Sequence, residues 1–179
     1  GVLGVISITN SHPARIFYSG IKSMNWLSAK QARYHQFLKI YTKDISGVHS
    51  TVFIPGRGML FGRDVIDRIG YFRDDLFPQY FADYDFSHTA FKAGFDLNVS
   101  WDLPVYSHIE KTAKGNKTNA TFCQFIRAFF KPNTSNNLIH TWRFYKKHGG
   151  LLFLVGFIFH YFRSIAGYLI ASHKGKLNN

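Results

Sequence analysis

Apolar residues come in short runs over roughly the first hundred positions and at helical spacing after about position 120. Residues 2–8, 51–54, 59–61, 95–101 and 105–108 are rich in β-branched and aromatic side chains between Gly, Pro and Asn, which predicts strands. Residues 64–69 and 84–93 carry apolar positions three and four apart and read as helices. In the second of these, Phe86, Ala90, Phe91 and Ala93 mark one side and Gly94 supplies a left-handed stop. That reading puts Asp83 at the N-cap and Asp85 in the first turn, where an acid accepts orphan N–H groups and complements the helix dipole. The stretch 24–41 fits either a loose helical stripe through Met24, Leu27, Tyr34, Leu38 and Tyr41, or a long irregular connection. The first 110 residues thus read as mixed α/β.

Residues 111–119 are rich in Lys, Gly, Asn and Thr and read as a polar linker. Beyond it, Phe122, Phe125, Ile126, Phe129 and Phe130 share one helix face that Pro132 ends. A second helix over about 137–148 sets Leu138, Ile139 and Trp142 among Arg143, Lys146 and Lys147. The segment 149–171 is apolar enough to suggest a membrane helix. Its unbroken apolar run, 151–159, is shorter than the ~20 residues a span needs, and Arg163 near mid-bilayer would cost about 2.5 kcal/mol. A helix lying in the membrane interface, or packed on the domain, is therefore preferred to a span.

Composition adjusts this picture in two ways. The chain has 179 residues, 46% of them hydrophobic, which suffices for a compact core, and its formal charge is +12. Many of the cations lie among aromatic and aliphatic runs of the last seventy residues, a pairing that suits an anionic membrane surface better than a nucleic acid, and no nucleic-acid motif is present. The single cysteine, Cys123, excludes an intramolecular disulfide and points to a reducing compartment. The opening strand-like residues and the absence of an initiating Met suggest a piece of a longer polypeptide.

Candidate chemistry centres on PGRGMLFGRDVIDRIGYFRDD (55–75), LFPQYFADYDFSHTAFKAGF (76–95) and DLPVYSHIE (102–110). Their order and spacing resemble the acceptor-side half of family 2 nucleotide-sugar glycosyltransferases with the GT-A fold. In that family a glycine-containing strand leads to a short helix and turn, then an aromatic run, an acid-rich helix start, and a strand ending near a His. Residues 1–18 resemble the strand and turn that precede this block. The resemblance covers about the first 110 residues, with 120–179 as a helical, basic and aromatic tail.

The resemblance implies an inverting hexosyl or deoxyhexosyl transfer from a nucleotide-sugar donor to a saccharide or lipid-linked acceptor. The product would be a cell-surface polysaccharide or glycolipid, made at the cytoplasmic face of the cell membrane. Asp83 matches the general base, which takes the acceptor hydroxyl's proton as that oxygen attacks the anomeric carbon. Asp85 matches an acceptor-holding or helix-anchoring residue. Gly56, Arg57 and Gly58 would let backbone and a cation approach the acceptor or diphosphate. His108 matches a ligand of Mg²⁺ or Mn²⁺ in some relatives, the main ligands being expected outside this chain. Many relatives have Glu at Ala82 and Arg at Thr89, and the second departure removes a cation beside the acids. The family's donor-binding strand, nucleotide contacts and Asp-x-Asp motif are not found, so the chain alone is expected to be inactive. The competing reading is a non-catalytic, basic, membrane-associated interaction module in which both aspartates serve the helix only.

Overall fold

The computed structural model describes residues 1–108 and 121–177, with side chains described through 172. The linker expected over 111–119 lies outside the described residues. The rest forms two compact units: 1–24, 31–75 and 82–108 in the first, and 25–30, 76–81 and the described residues from 121 onward in the second.

The first unit is built on a mixed sheet. Strand β1 (Val2–Thr9) runs parallel to β7 (Leu97–Ser107), and β5 (Val48–Ser50) adds antiparallel on the far side of β7. The other edge of β1 is shared: β6 (Leu60–Phe61) pairs antiparallel with Val2 and Leu3, while β2 (Ile16–Tyr18) pairs with Ser7 and Ile8. A separate hairpin joins β3 (Ile21–Asn25) to β4 (Lys30–Arg33). On one face of the sheet lie α1 (Arg63–Ile69) and α2 (Ala82–Lys92). Val2, Ile54, Val65, Phe86, Ala90 and Leu97 are buried together there, with Met59, Phe61, Ile69 and Phe95 packed around them.

The ends of α2 show how local chemistry sets an element. Gly94 at φ 92° closes the helix. Its N–H donates to the Phe91 carbonyl, and that of Phe95 reaches back to Ala90, the paired bonds of a Schellman stop. Phe95 then drops onto the same core as Ala90.

Three expectations are corrected and one open alternative is decided. Residues 51–54 form no ladder strand: Thr51 N–H and Val52 N–H donate to the Leu97 and Ile21 carbonyls at 2.8 and 2.9 Å, on two different neighbours, and Ile54 N–H turns to Ser87 Oγ at 3.0 Å. The ladder lies just upstream, in β5. The two strands expected over 95–101 and 105–108 are one strand, β7. Its pairing jumps from Val5↔Ser100 to Ser7↔Val105, a bulge holding Pro104, which has no N–H to give a ladder. The stretch 24–41 is no helix, since Ala29 and Leu38 sit at positive φ and the hairpin occupies its first half. Asp83 is the second residue of α2 and not its N-cap.

Gly58 shows a sequence choice forced by packing. Its φ is 69°, and a Cβ there would run into Val5 Cγ2 on β1. Gly58→Ala combines left-handed strain with overpacking, so it is expected to cost at least about 2 kcal/mol in denaturant unfolding. A loss under half of that would mean that the loop relaxes away from β1.

The second unit is helical: α3 (Phe122–Arg127), α4 (Leu138–His148), a 3-10 turn (Gly150–Leu152) and α5 (Phe153–Leu177). A capping box opens α3, with Thr121 Oγ1 accepting from Gln124 N–H and Gln124 Oε1 accepting from Thr121 N–H. This helix stops well before Pro132. Phe125 and Phe129 are buried against Tyr161, while Phe122 and Phe130, expected on the same face, are exposed. Trp26 packs on Phe144, Tyr145 and His148, and Arg143 donates to the Leu76 carbonyl. Residues 150–172 are long and apolar enough to cross a membrane.

Candidate functional site

The Pro55–Gly58 turn and the start of α2 meet at one carboxylate. Asp83 Oδ2 accepts the Gly56 N–H at 2.8 Å, and Oδ1 accepts the Tyr84 N–H at 2.9 Å. Residues 27 positions apart are thereby joined. The turn approaches closely enough that a Cβ on Gly56 would lie 3.6 Å from Asp83 Cβ. Asp83 is half-buried, so the carboxylate keeps access to solvent on part of its surface. Each oxygen retains a lone pair for a further donor. Ser87 fixes the helix behind it: its hydroxyl donates to the Asp83 carbonyl and accepts from Ile54 N–H.

Tyr84 is the next side chain of the site. Its ring packs 5.3 Å from that of Phe53, and burial, reinforced by the Asp83 charge, pushes its phenol up to about 12. It therefore stays protonated at neutral pH and can donate. Arg33 and Arg57 act in the opposite sense on Tyr84, which places two cations within electrostatic reach of the phenol. Arg57 stands over the Phe17 ring at 4.7 Å, so this cation is held by an aromatic face. Tyr18 donates its hydroxyl to the Phe53 carbonyl beneath the site, and burial raises its pKa far above the ordinary tyrosine range.

Asp85, two residues on, is only 2% exposed and lies on the core side of α2, with its carbonyl accepting from Thr89 Oγ1. Thr89 thus serves the helix backbone. A cation is nevertheless near. Arg73 forms a bidentate pair with Asp75 at 2.8 Å, and its charged form is favoured first by Asp75 and, more weakly, by Asp85.

Of the residues singled out from sequence, Asp83 and Gly56 are in direct contact, and Arg57 is close enough to act electrostatically on Tyr84. Gly58 packs against β1. His108 follows the end of β7 and is exposed. Among the described residues no three His, Cys, Asp or Glu side chains converge as a metal site, and these residues alone do not fit a complete centre for Mg²⁺ or Mn²⁺. Sequence reasoning missed Phe17, Arg33 and Tyr84. Only Tyr84, between the two acids, carried a local signal.

Chemically, a half-exposed carboxylate at a helix start, next to a protonated phenol on which two guanidinium groups act, can accept a proton from a hydroxyl. Neither a protein-family model, nor a curated protein, nor a solved structure matches the chain.

Proposed function

We propose that the first unit is the acceptor side of an inverting nucleotide-sugar glycosyltransferase of GT-A type, with Asp83 as general base. The observation that carries this reading is the Gly56 N–H···Asp83 bond, which links the glycine turn to the acid-rich helix start. In this role the base needs no mobile side chain: two backbone N–H groups orient it before an acceptor arrives. The acceptor oxygen attacks the anomeric carbon, its proton passes to Asp83, and the nucleoside diphosphate leaves.

Arg57, already poised on Phe17, and Arg33 supply positive charge on the same side. Asp85, being buried, acts by anchoring α2 and not by touching the acceptor. Donor contacts and the principal ligands of any Mg²⁺ or Mn²⁺ belong to polypeptide outside these 179 residues, with His108 as an accessory ligand. The acceptor is a saccharide or lipid-linked glycan of the cell surface, met at the cytoplasmic face of the membrane.

The test is turnover. The complete reading frame, incubated with a panel of nucleotide sugars, divalent metal and a lipid-linked glycan fraction, is expected to release nucleoside diphosphate only when acceptor is present. The isolated 179-residue chain is expected to release none. Absence of any acceptor-dependent release by the complete protein across the panel would favour the interaction module.

A further inference from the structure

Helix α5 is covered on one side only. At its start, Phe153 and Phe157 pack edge-on to Trp142 at 5.1 and 5.2 Å. In the middle, Tyr161 donates to the Asn136 carbonyl at 2.9 Å, and Arg163 donates to the carbonyls of Ser28 and Ala29 at 3.2 and 2.9 Å. Further on, Tyr168 stacks on Phe125 at 4.4 Å. From Phe153 to Tyr168, about 22 Å of helix, the same side lies against protein.

The opposite side is apolar along its whole length. Leu151 in the preceding turn and Leu154, Ile158, Phe162, Ile165 and Leu169 are all exposed, Phe162 at 66%. At 100° per residue they fall within an arc of roughly 80°, which the exposed Val155, Phe159 and Ile170 widen to about 160°. No described residue covers that arc. Phe122, Phe130 and Ile139 are exposed large apolar side chains of the same unit.

Charge supplies the second observation. From 121 to 177 the sequence has Lys and Arg but no Asp or Glu, and Arg127, Lys131 and Lys146 are exposed. A protein partner or a second copy of this unit would have to meet that uncompensated positive charge with its own acids, and a second copy has none here. An anionic bilayer surface offers both what the apolar arc needs and what the cations need.

We infer that α5 lies in the plane of an anionic bilayer, its Leu154–Ile158–Phe162–Ile165–Leu169 face sunk to the headgroup boundary and its Arg163 side turned to protein. A crossing helix would carry Asn136, Arg163 and the Ser28 and Ala29 carbonyls into hydrocarbon along with it, since they are bonded to its inner side at mid-length. Lying flat, the helix wets those groups and buries only its apolar face. The inference rests on the membrane-surface part of the proposed function and not on sugar transfer, so a protein that transfers no sugar could still bind in this way.

The experiment uses the unmodified chain first, sedimented with vesicles of phosphatidylcholine alone or mixed with phosphatidylglycerol. Binding to the mixed vesicles that weakens with added salt is expected, and no binding to them would overturn the proposal. Phe162→Asp is expected to weaken that binding by at least about tenfold. Depth then decides orientation. With Cys123, which is exposed, changed to Ser, single cysteines at Leu154, Phe162 and Leu169 carry an environment-sensitive dye against lipids bearing shallow or deep quenchers. All three labels quenched alike by the shallow lipid is the expected result. Phe162 quenched deepest, with the other two shallow, would show a span and overturn the in-plane arrangement. Labels shielded without vesicles as protein concentration rises would show a second copy on this face, with the same consequence.

Discussion

Asp83→Asn in the complete protein is expected to lower turnover by about 10²- to 10⁴-fold, the range a lost general base removes. Stability should fall far less. The Asn carbonyl oxygen can still accept one of the two N–H groups now held, from Gly56 or from Tyr84, but its amide nitrogen cannot accept the other. One hydrogen bond lost at a half-buried position costs about 1 kcal/mol. The prediction is therefore a separation of two readouts: kcat/KM collapses while the unfolding midpoint moves slightly. If turnover stays within a few-fold of the parent, Asp83 only orders the turn and the interaction module is the better account. A parallel fall of both readouts would mean that the Gly56 bond holds the whole loop, which a circular dichroism comparison of the two proteins would reveal.

Phe53→Ala is expected to be among the most damaging single truncations in the first unit, at about 3–5 kcal/mol. Phe53 is 1% exposed, with its ring stacked on His88 at 4.5 Å and packed on Tyr84, while its carbonyl receives the Tyr18 hydroxyl. Removing the ring leaves a cavity directly behind the candidate base, between α2 and the segment that carries the glycine turn. Denaturant unfolding of the 179-residue chain checks this through a shifted midpoint at constant slope. A cost below about 1 kcal/mol would mean that His88 and Tyr84 close over the gap, and the packing would then be softer than the ring geometry implies.

The elements legible in the sequence are those whose signals are local. Strand β1 announces itself through a run of Val, Ile and Leu, α1 through Val65 and Ile69, and α2 through its apolar spacing and Gly94. Illegible features depend on a partner far away in the chain. Residues 51–54 have every mark of a strand, yet Ser87, more than thirty positions on, supplies the hydroxyl that Ile54 uses instead of a ladder. The helix likewise begins two residues before the start its spacing suggests, at Ala82, and the Asp83 carboxylate is shared between the Gly56 and Tyr84 N–H groups.

The candidate site divides in the same way. Asp83, Gly56 and Arg57 could be picked out because each sits in a recognisable local pattern. Arg33 and Phe17 sit in strands with no unusual spacing, and only folding brings the charge of the one toward Tyr84 and the ring of the other under Arg57. The burial of Asp85 was hidden too, since an acid in a first turn is ordinarily solvated, and nothing local reveals the core beneath it.

Gly156 and Arg163, two helical turns apart on α5, have a joint consequence. A Cβ on Gly156 would collide with the Trp26 carbonyl oxygen, and Arg163 is tied to the two carbonyls just beyond it in the same 25–30 segment. Together they act as key and keyway, fixing the azimuth of the helix about its own axis. A turn by one residue position would unseat both at once and roll His160 and Arg163 toward the greasy side. The side of α5 that meets its surroundings is therefore chosen by a short backbone segment far away in sequence, and not by the surroundings themselves.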